Sequence, residues 1–571
     1  MKATDYIART LERRGVRHVF EMSGGMITHI LDSLATKTRI RIVSTHHEQA
    51  AAFAADASGR MTGTPGVAMA TSGPGATNLL TGVGSCFFDS VPAVFITGQV
   101  NRYELRGDRA IRQLGFQETD IVSMARPITK AAWQVEEVEQ LPRLLGAAFD
   151  LATTGRPGPV LLDVPMDIQR AAVVVDDTEE SAAPAADSVA IDIEKVFADL
   201  RRARRPLVLA GGGIRASRCQ RELREFALAT GVPVVTSLMA RDALAYHDPL
   251  HAGLIGTYGN RWANLAIGAC DFLLVLGSRL DIRQTGSDTR AFRGDRVIHH
   301  VDCDPGEINN RVTECRATVT DLRTFFAAAL PIARAAPFPR HGSWLADIEA
   351  LRRQWPDTRE LDVNGINPNQ FMHDLSRVSG DAAAYVVDVG QHQMWAAQSL
   401  ELGAAQRFIT SGGMGAMGYA LPASLGAALS ADGKPVVVIA GDGGFQSNIQ
   451  ELETVVRNRL ALKIVIVNNR CHGMVRQFQE SYFERRYQST YWGYSAPDFA
   501  RIAEAYGIAS RTVSAAPEVP DAMAWLWSRP AEPALLQVMI DTFANTYPKI
   551  AFGRPNTEME PFATPVRMES T

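Results

Sequence analysis

The stretch Val438-Ile439-Ala440-Gly441-Asp442-Gly443-Gly444-Phe445 and its continuation Ile464-Val465-Ile466-Val467-Asn468-Asn469 decide how this chain is read. Each is a short apolar, β-branched run that ends in polar residues. That pattern predicts a buried parallel strand delivering ligands at its carboxyl end. The interval 447–460 has the length and pattern of a crossover helix, so the two strands are expected side by side. Asp442 and Asn469 then arrive together as oxygen ligands. Gly443 and Gly444 let the backbone come close to a phosphate. A hard cation such as Mg²⁺ takes few protein oxygens and completes its octahedron with phosphate oxygens and water. The unit therefore reads as a device for holding a diphosphate through a divalent metal. The plainer alternative is an ordinary βαβ unit with a polar turn, and the rest of the chain weighs against it.

At 571 residues the chain exceeds what one core serves and predicts about three domains. Its 46% hydrophobic and 21% charged residues are ordinary for a globular enzyme. A net charge of −4 gives no attraction for nucleic acid or an anionic membrane. No apolar run approaches the roughly 20 residues that cross a bilayer. The start, Met1 to Ile7, lacks the apolar stretch of a signal peptide. Six cysteines are scattered without paired spacing, which predicts neither a zinc site nor a disulfide framework. A reduced, cytoplasmic enzyme is expected.

Two stretches have linker character. Residues 176–188 are acidic and Ala/Pro-rich, and residues 334–343 carry two prolines and little to bury. They divide the chain into residues 1–175, 189–333 and 344–571. Apolar runs alternate with helical stretches in each: 66–70 and 91–97, then 206–210 and 272–276, then 435–440 and 463–467. That alternation predicts three α/β domains with largely parallel central sheets. No short-period internal repeat is present.

Several long motifs then occur in one order: Phe20-Glu21-Met22-Ser23-Gly24-Gly25, His47-Glu48-Gln49-Ala50, Thr71 to Asn78 (TSGPGATN), Phe116-Gln117-Glu118, Gly155 to Pro159 (GRPGP), Gly390 to Gln398 (GQHQMWAAQ) and Gly473 to Gln479 (GMVRQFQ). With the Gly-Asp-Gly unit they run over essentially the whole chain, which resembles the catalytic subunits of acetolactate (acetohydroxyacid) synthase. That family lies within the thiamin-diphosphate carboligases and decarboxylases. The resemblance implies a pyrimidine-binding first domain, a middle domain of FAD type and a diphosphate-binding third domain.

It also implies roles. Glu48 hydrogen-bonds the cofactor's aminopyrimidine and promotes its action as a base. Its setting, a strand running into an apolar helix, buries the carboxylate. Gly25, Phe116 and Gln117 reach the same pocket. Gly390, Gln391, His392, Gly415, Gly443, Gly444 and Met474 surround the cofactor, and Met417 is the bulky residue over which it folds. Asp442, Asn469 and the backbone carbonyl of Cys471 hold Mg²⁺; that role asks nothing of the Cys471 thiol. The family's glutamate faces cofactor held by another subunit, so a homodimer or homotetramer with active sites at the interface is implied. A small regulatory subunit is compatible with it.

In the middle segment, Gly211-Gly212-Gly213 end an apolar run but form no GxGxxG fingerprint. Tyr258, Arg279, Asp281 and Asp302 lie in segments resembling those that wrap FAD, and Arg156 joins them from the end of the first domain. An arginine fork suits a pyrophosphate. The flavin in this family is not needed for redox turnover. Arg283 matches the arginine that receives the acceptor's carboxylate.

The expected reaction is decarboxylation of pyruvate and transfer of its two-carbon unit to a second 2-keto acid, giving 2-acetolactate on the way to branched-chain amino acids. Three features depart from the family: Phe478 in place of tryptophan, Met166 in place of lysine, and an arginine-rich stretch over 101–114. The Met166 and Phe478 departures motivate an alternative acceptor, a larger carbonyl such as a keto-sugar nucleotide. A simple 2-keto acid decarboxylase and a flavin-reducing pyruvate oxidase are further alternatives. His46-His47 looks superficially like the paired histidines of the decarboxylases, although His47-Glu48-Gln49 fits the synthase pattern and makes His46 incidental.

Overall fold

The computed structural model describes residues 1–174, 192–335, 338 and 341–566. The linker expected at 176–188 lies outside the described residues. Three six-stranded sheets follow one another along the chain. The first holds β1 (His18–Met22), β2 (Arg41–Ser44), β3 (Gly66–Ala70), β4 (Ala93–Gln99), β5 (Ala131–Gln134) and β6 (Pro159–Pro165), in the order β2-β1-β3-β4-β6-β5. The second holds β7 (Pro206–Ala210), β8 (Val234–Thr236), β9 (His251–Leu254), β10 (Phe272–Leu276), β11 (Val297–Asp302) and β12 (Arg316–Val319), in the order β12-β11-β10-β7-β8-β9. The third holds β13 (Ala384–Val387), β14 (Arg407–Thr410), β15 (Val436–Gly441), β16 (Leu462–Asn468), β17 (Ala509–Val513) and β18 (Ala534–Met539), in the order β14-β13-β15-β16-β18-β17.

Every ladder in these sheets is parallel. The cause is visible in the sequence. Strands such as β10 (FLLVL) and β15 (VVVIAG) are buried along their whole length, because helices cover both faces of a parallel sheet. The expected strand over 91–97 begins two residues later, at Ala93. Pro92 has no N–H to give to a ladder, and its carbonyl instead accepts from Gly66 N at 3.2 Å.

Numbered within its own domain, the third sheet repeats the first, 2-1-3-4-6-5. The middle sheet differs. Read from its β9 edge it is 3-2-1-4-5-6, the doubly wound order of dinucleotide-binding domains. The sequence showed neither fact, since no residue repeat accompanies the repeated topology.

The first and third domains share a core. The helix Glu48–Thr62 packs on the helix Ala420–Leu429 so closely that a methyl group on Gly426 would stand 1.9 Å from Ala54 O. At the end of that contact the Phe53 and Tyr419 rings meet edge to face at 5.1 Å. The second expected linker, 334–343, is shorter than its prolines suggested. Arg334 belongs to the helix Leu322–Ala335, whose apolar face is buried, and a new helix begins at Gly342.

Candidate active site

In a doubly wound sheet ligands sit outside the carboxyl ends of the strands, where the strand order reverses. In the third domain that point lies between β13 and β15, and a cavity of about 450 Å³ opens there. Gly390, Gln391 and His392 reach it after β13, and Asp442, Gly443 and Gly444 after β15. Asn469 and Cys471 follow β16, Gly415 and Met417 come from the loop after β14, and Met474 from the helix Gly473–Tyr482. Arg283 enters from the middle domain. All but Arg283 were expected at the cofactor or its metal; Arg283 was expected at the acceptor's carboxylate.

Asp442 is buried, and its Oδ2 accepts from the Tyr494 hydroxyl at 2.9 Å. Burial pushes its carboxyl up to about 6, with the Tyr494 hydrogen bond working the other way. Such a carboxylate gains from a cation beside it. Asn469 Nδ2 donates to Gln391 Oε1 at 3.1 Å, and Gln391 Nε2 donates to Ala544 O at 2.9 Å, so the Asn469 amide is held in orientation. A methyl group on Gly473 would fall 1.9 Å from Gln391 Oε1; only glycine admits this arrangement. Burial pushes the His392 ring down to about 3, and its Nε2 is buried without a hydrogen-bond partner among the described residues. Burial pushes the Cys471 thiol up to about 11, and a carbonyl-only role asks nothing of it.

Among the described residues no group of three or more His, Cys, Asp or Glu is placed to hold a metal. The residues expected to hold a metal, Asp442, Asn469 and the Cys471 carbonyl, line this one cavity and would offer a carboxylate, an amide and a main-chain oxygen. That hard-oxygen set, the close glycines and the orphaned His392 nitrogen fit a diphosphate held through a divalent cation.

The first domain has its own reversal, between β1 and β3. Glu48 opens its helix there, 7% exposed, and its Oε2 accepts from Asn78 Nδ2 at 2.9 Å. A methyl group on Gly75 would stand 3.1 Å from Glu48 Oε1. Gln117 takes the left-handed conformation (φ +65°) and lies against Gly73. Gly25 has open space before it, and Phe116 is 81% exposed. Within one chain the structure does not bring Glu48, Gly25, Phe116 or Gln117 to the third-domain cavity. His46 is accounted for otherwise: its Nε2 pairs with Glu453 at 2.8 Å across the domain contact.

In the middle domain a cavity of about 420 Å³ lies at the reversal between β7 and β10. Gly212, Gly213, Arg279, Asp281, Asp302 and Arg156 line it. Two expected residues do not. A methyl group on Gly211 would meet Gly277 O at 2.1 Å, so this glycine lets two chain segments cross. Tyr258 faces the third domain, where its carbonyl accepts from Gln398 Nε2 at 2.9 Å. Asp281 caps the short helix Ile282–Thr285, and the Arg156 guanidinium is engaged by Glu307 at 2.6 Å and Asp304 at 3.1 Å. Sequence reasoning missed Phe88, Asp89 and Met239 in this wall, and Tyr494 beside Asp442. No local pattern marks them. Neither Met166 nor Phe478 lines the third-domain cavity; the Phe478 ring packs on Tyr482 at 4.9 Å and on Phe483 at 5.6 Å.

Comparison with known proteins agrees with this architecture. Residues 1–124, 193–329 and 388–538 match the family models described as the N-terminal TPP binding, central and C-terminal TPP binding domains of thiamine pyrophosphate enzymes. Fold and site thus define a three-domain enzyme of the thiamin-diphosphate class. The chain is 36% identical to the acetolactate synthase isozyme 2 large subunit of Escherichia coli, over 98% of this chain and 99% of that protein. It is 35% identical to the acetolactate synthase large subunit of Cyanidium caldarium, over 96% and 95%. The probable acetolactate synthase large subunit of Methanocaldococcus jannaschii gives 35% over 100% and 96%. The chain belongs to the acetolactate synthase large-subunit family.

Proposed function

We propose that this chain is the catalytic subunit of a carboligase that decarboxylates pyruvate and joins its two-carbon unit to a second 2-keto acid, giving 2-acetolactate. The observation that supports this reading is the third-domain cavity, lined by Asp442, Asn469, Cys471 and His392, whose Nε2 has no partner among the described residues, in a chain related to acetolactate synthase large subunits along its whole length. When bound, thiamin diphosphate supplies a positively charged ring able to take up the electron pair left by departing CO₂. The protein's part is to place and polarise. Asp442, Asn469 and the Cys471 carbonyl hold Mg²⁺, and Gln391 and His392 face the diphosphate. Met417 backs the cofactor, and Glu48 offers a buried carboxylate to the pyrimidine. Arg283, at the cavity edge, is the cation for the carboxylate of the second substrate.

Glu48 and the cavity are separate within one chain. This supports an assembly of at least two copies in which the first domain of one closes the third-domain cavity of the other. FAD in the middle cavity, in a non-redox role, is part of the same reading, with Arg279 and the glycines at the β7–β10 reversal beside it. The relatives are named large subunits, which supports a smaller regulatory partner here. Six free cysteines suit a reducing cytoplasm. No helix among the described residues is long and apolar enough to cross a membrane.

The test is purified protein with thiamin diphosphate, Mg²⁺, FAD and pyruvate alone, following pyruvate loss, acetolactate and acetaldehyde. Stoichiometric acetolactate is expected. Acetaldehyde as the main product would replace the carboligase reading with a decarboxylase. Little turnover until a larger carbonyl is added would replace the acceptor.

A further inference from the structure

The middle-domain and third-domain cavities share a wall. The loop 411–419, between β14 and the helix Ala420–Leu429, carries Gly415 and Met417 into the third-domain cavity. Its first turn lies against Phe88, Asp89 and Met239, all three of which line the middle cavity. A methyl group on Gly412 would stand 2.2 Å from Met239 Sδ, and one on Gly413 2.8 Å from Phe88 Cβ. There is no slack between loop and wall.

Hydrogen bonds fix the same contact. Asp89 Oδ1 accepts from Gly413 N at 2.6 Å and Oδ2 from Gly412 N at 3.0 Å. Oδ2 also accepts from Arg60 Nη2 at 2.9 Å, and Arg60 Nε donates to Asp56 Oδ1 at 2.6 Å. That same Asp56 oxygen accepts from the Tyr419 hydroxyl at 2.6 Å, at the far end of the loop. Asp89 and Asp56 are both essentially inaccessible to solvent. An Asp56–Arg60–Asp89 clamp from the first domain therefore grips both ends of the loop that shapes the cofactor cavity. One jaw of it forms part of the nucleotide cavity.

We propose that Asp89 is a positioning residue that couples the two cavities: a flavin dinucleotide filling the middle cavity tightens thiamin diphosphate binding in the third-domain cavity, and the converse. This rests on the flavin and thiamin assignments above. A ligand in the middle cavity holds Phe88, Asp89 and Met239 in the arrangement that the Gly412 and Gly413 amides require; without it those side chains can relax into the space. The ligand then binds one arrangement of the loop better than others, which is the condition for shifting it. Linkage makes the effect reciprocal.

The test is calorimetric titration of the full chain. Thiamin diphosphate with Mg²⁺ is titrated with and without saturating FAD, and FAD with and without saturating thiamin diphosphate. Each ligand is expected to tighten the other by about tenfold. In Asp89→Asn, which keeps one acceptor but sets an amide N–H₂ against Arg60 and Gly412 N, both ligands are expected to bind alone while the factor falls toward one. A merely structural role would weaken both affinities and leave the factor intact. Should circular dichroism show that Asp89→Asn does not fold, Met239→Ala removes the packing half of the contact without touching the buried charges, and the same loss of coupling is expected. FAD binding with no change in thiamin diphosphate affinity in the natural chain overturns the coupling alone. No FAD binding at all overturns the flavin assignment and the coupling with it.

Discussion

The first and third domains run the same strand order, yet the edges they present have opposite chemistry. At its reversal the first offers one buried carboxylate, Glu48, held by Asn78 among glycines. The third lines its cavity with the Asp442 carboxylate, the Asn469 amide and Cys471, beside His392, whose Nε2 has no partner among the described residues. Strand order fixes where a ligand sits; the few residues that follow each strand fix what it is. A flat heterocycle needs one acid and an open face, whereas a diphosphate needs hard oxygens for its metal and close backbone. The two edges suit opposite ends of one cofactor.

The sharpest way to break that comparison is Glu48→Gln, which should cost about 10²–10⁴-fold in turnover, the range for an acid–base group. Thiamin diphosphate binding should survive, because the third-domain edge is untouched; calorimetry beside steady-state rates separates the two. A variant with full turnover would remove the first domain from the chemistry. Asp442→Ala strikes the other edge. It should weaken Mg²⁺-dependent thiamin diphosphate binding by at least about 100-fold, since losing a partner one shell further out already costs about 10–100-fold. Chelation of the natural chain should have the same effect. Binding indifferent to both changes would mean the diphosphate is not held through a metal.

How far this was legible in the sequence differs between the domains for a physical reason. Much of the third-domain edge is written in local runs, an apolar strand followed directly by polar residues, so Asp442 and Asn469 could be named from the runs themselves, and Gly390 and Met417 from the family resemblance. The middle cavity is assembled from distant segments. Asp89, Met239 and Phe88 have no periodicity to mark them, and Tyr258, placed there by resemblance, turns to the third domain. The relation between the first and third sheets was invisible, because strand order depends on which runs pair. The helix contact that joins them was equally silent, since Gly426 reads as any glycine in an apolar helix. Gly426→Leu tests it. Overpacking against Ala54 O should lower stability by about 3 kcal/mol, read as a fall in unfolding midpoint. Gly25→Ala, with open space before it, should change stability by less than about 0.5 kcal/mol. Equal losses would mean the shared core is not what holds the two domains together.

The smallest expected effect sharpens the comparison at a point where the two sheets look alike. Apart from Asp442 in the cofactor cavity, each buries an acid that burial pushes up to about 6: Asp163 in β6 and Asp388 just after β13. They are satisfied differently. Asp163 accepts from Thr97 Oγ1 at 2.6 Å, Gln134 Nε2 at 2.9 Å and Gln99 Nε2 at 3.0 Å, all side chains. Asp388 accepts from the backbone amides of Val389, Gly418 and Ala420. Both folded values lie above the roughly 3.9 of an unfolded aspartate. Between about pH 4 and 6 these two groups therefore hold more protons in the folded chain than in the unfolded one, and their contribution to stability falls as pH rises through that window. Asp163→Asn should remove its share, about 1–2 kcal/mol of the change in denaturant stability between pH 4 and 7. Its side-chain partners can turn to suit an amide, so the fold should persist. Asp388→Asn should flatten the same window but should also loosen the loop at Gly418, because backbone donors cannot turn. A pH slope unmoved by Asp163→Asn would place the titration elsewhere; equal damage from both variants would mean that side-chain and backbone satisfaction are equivalent here.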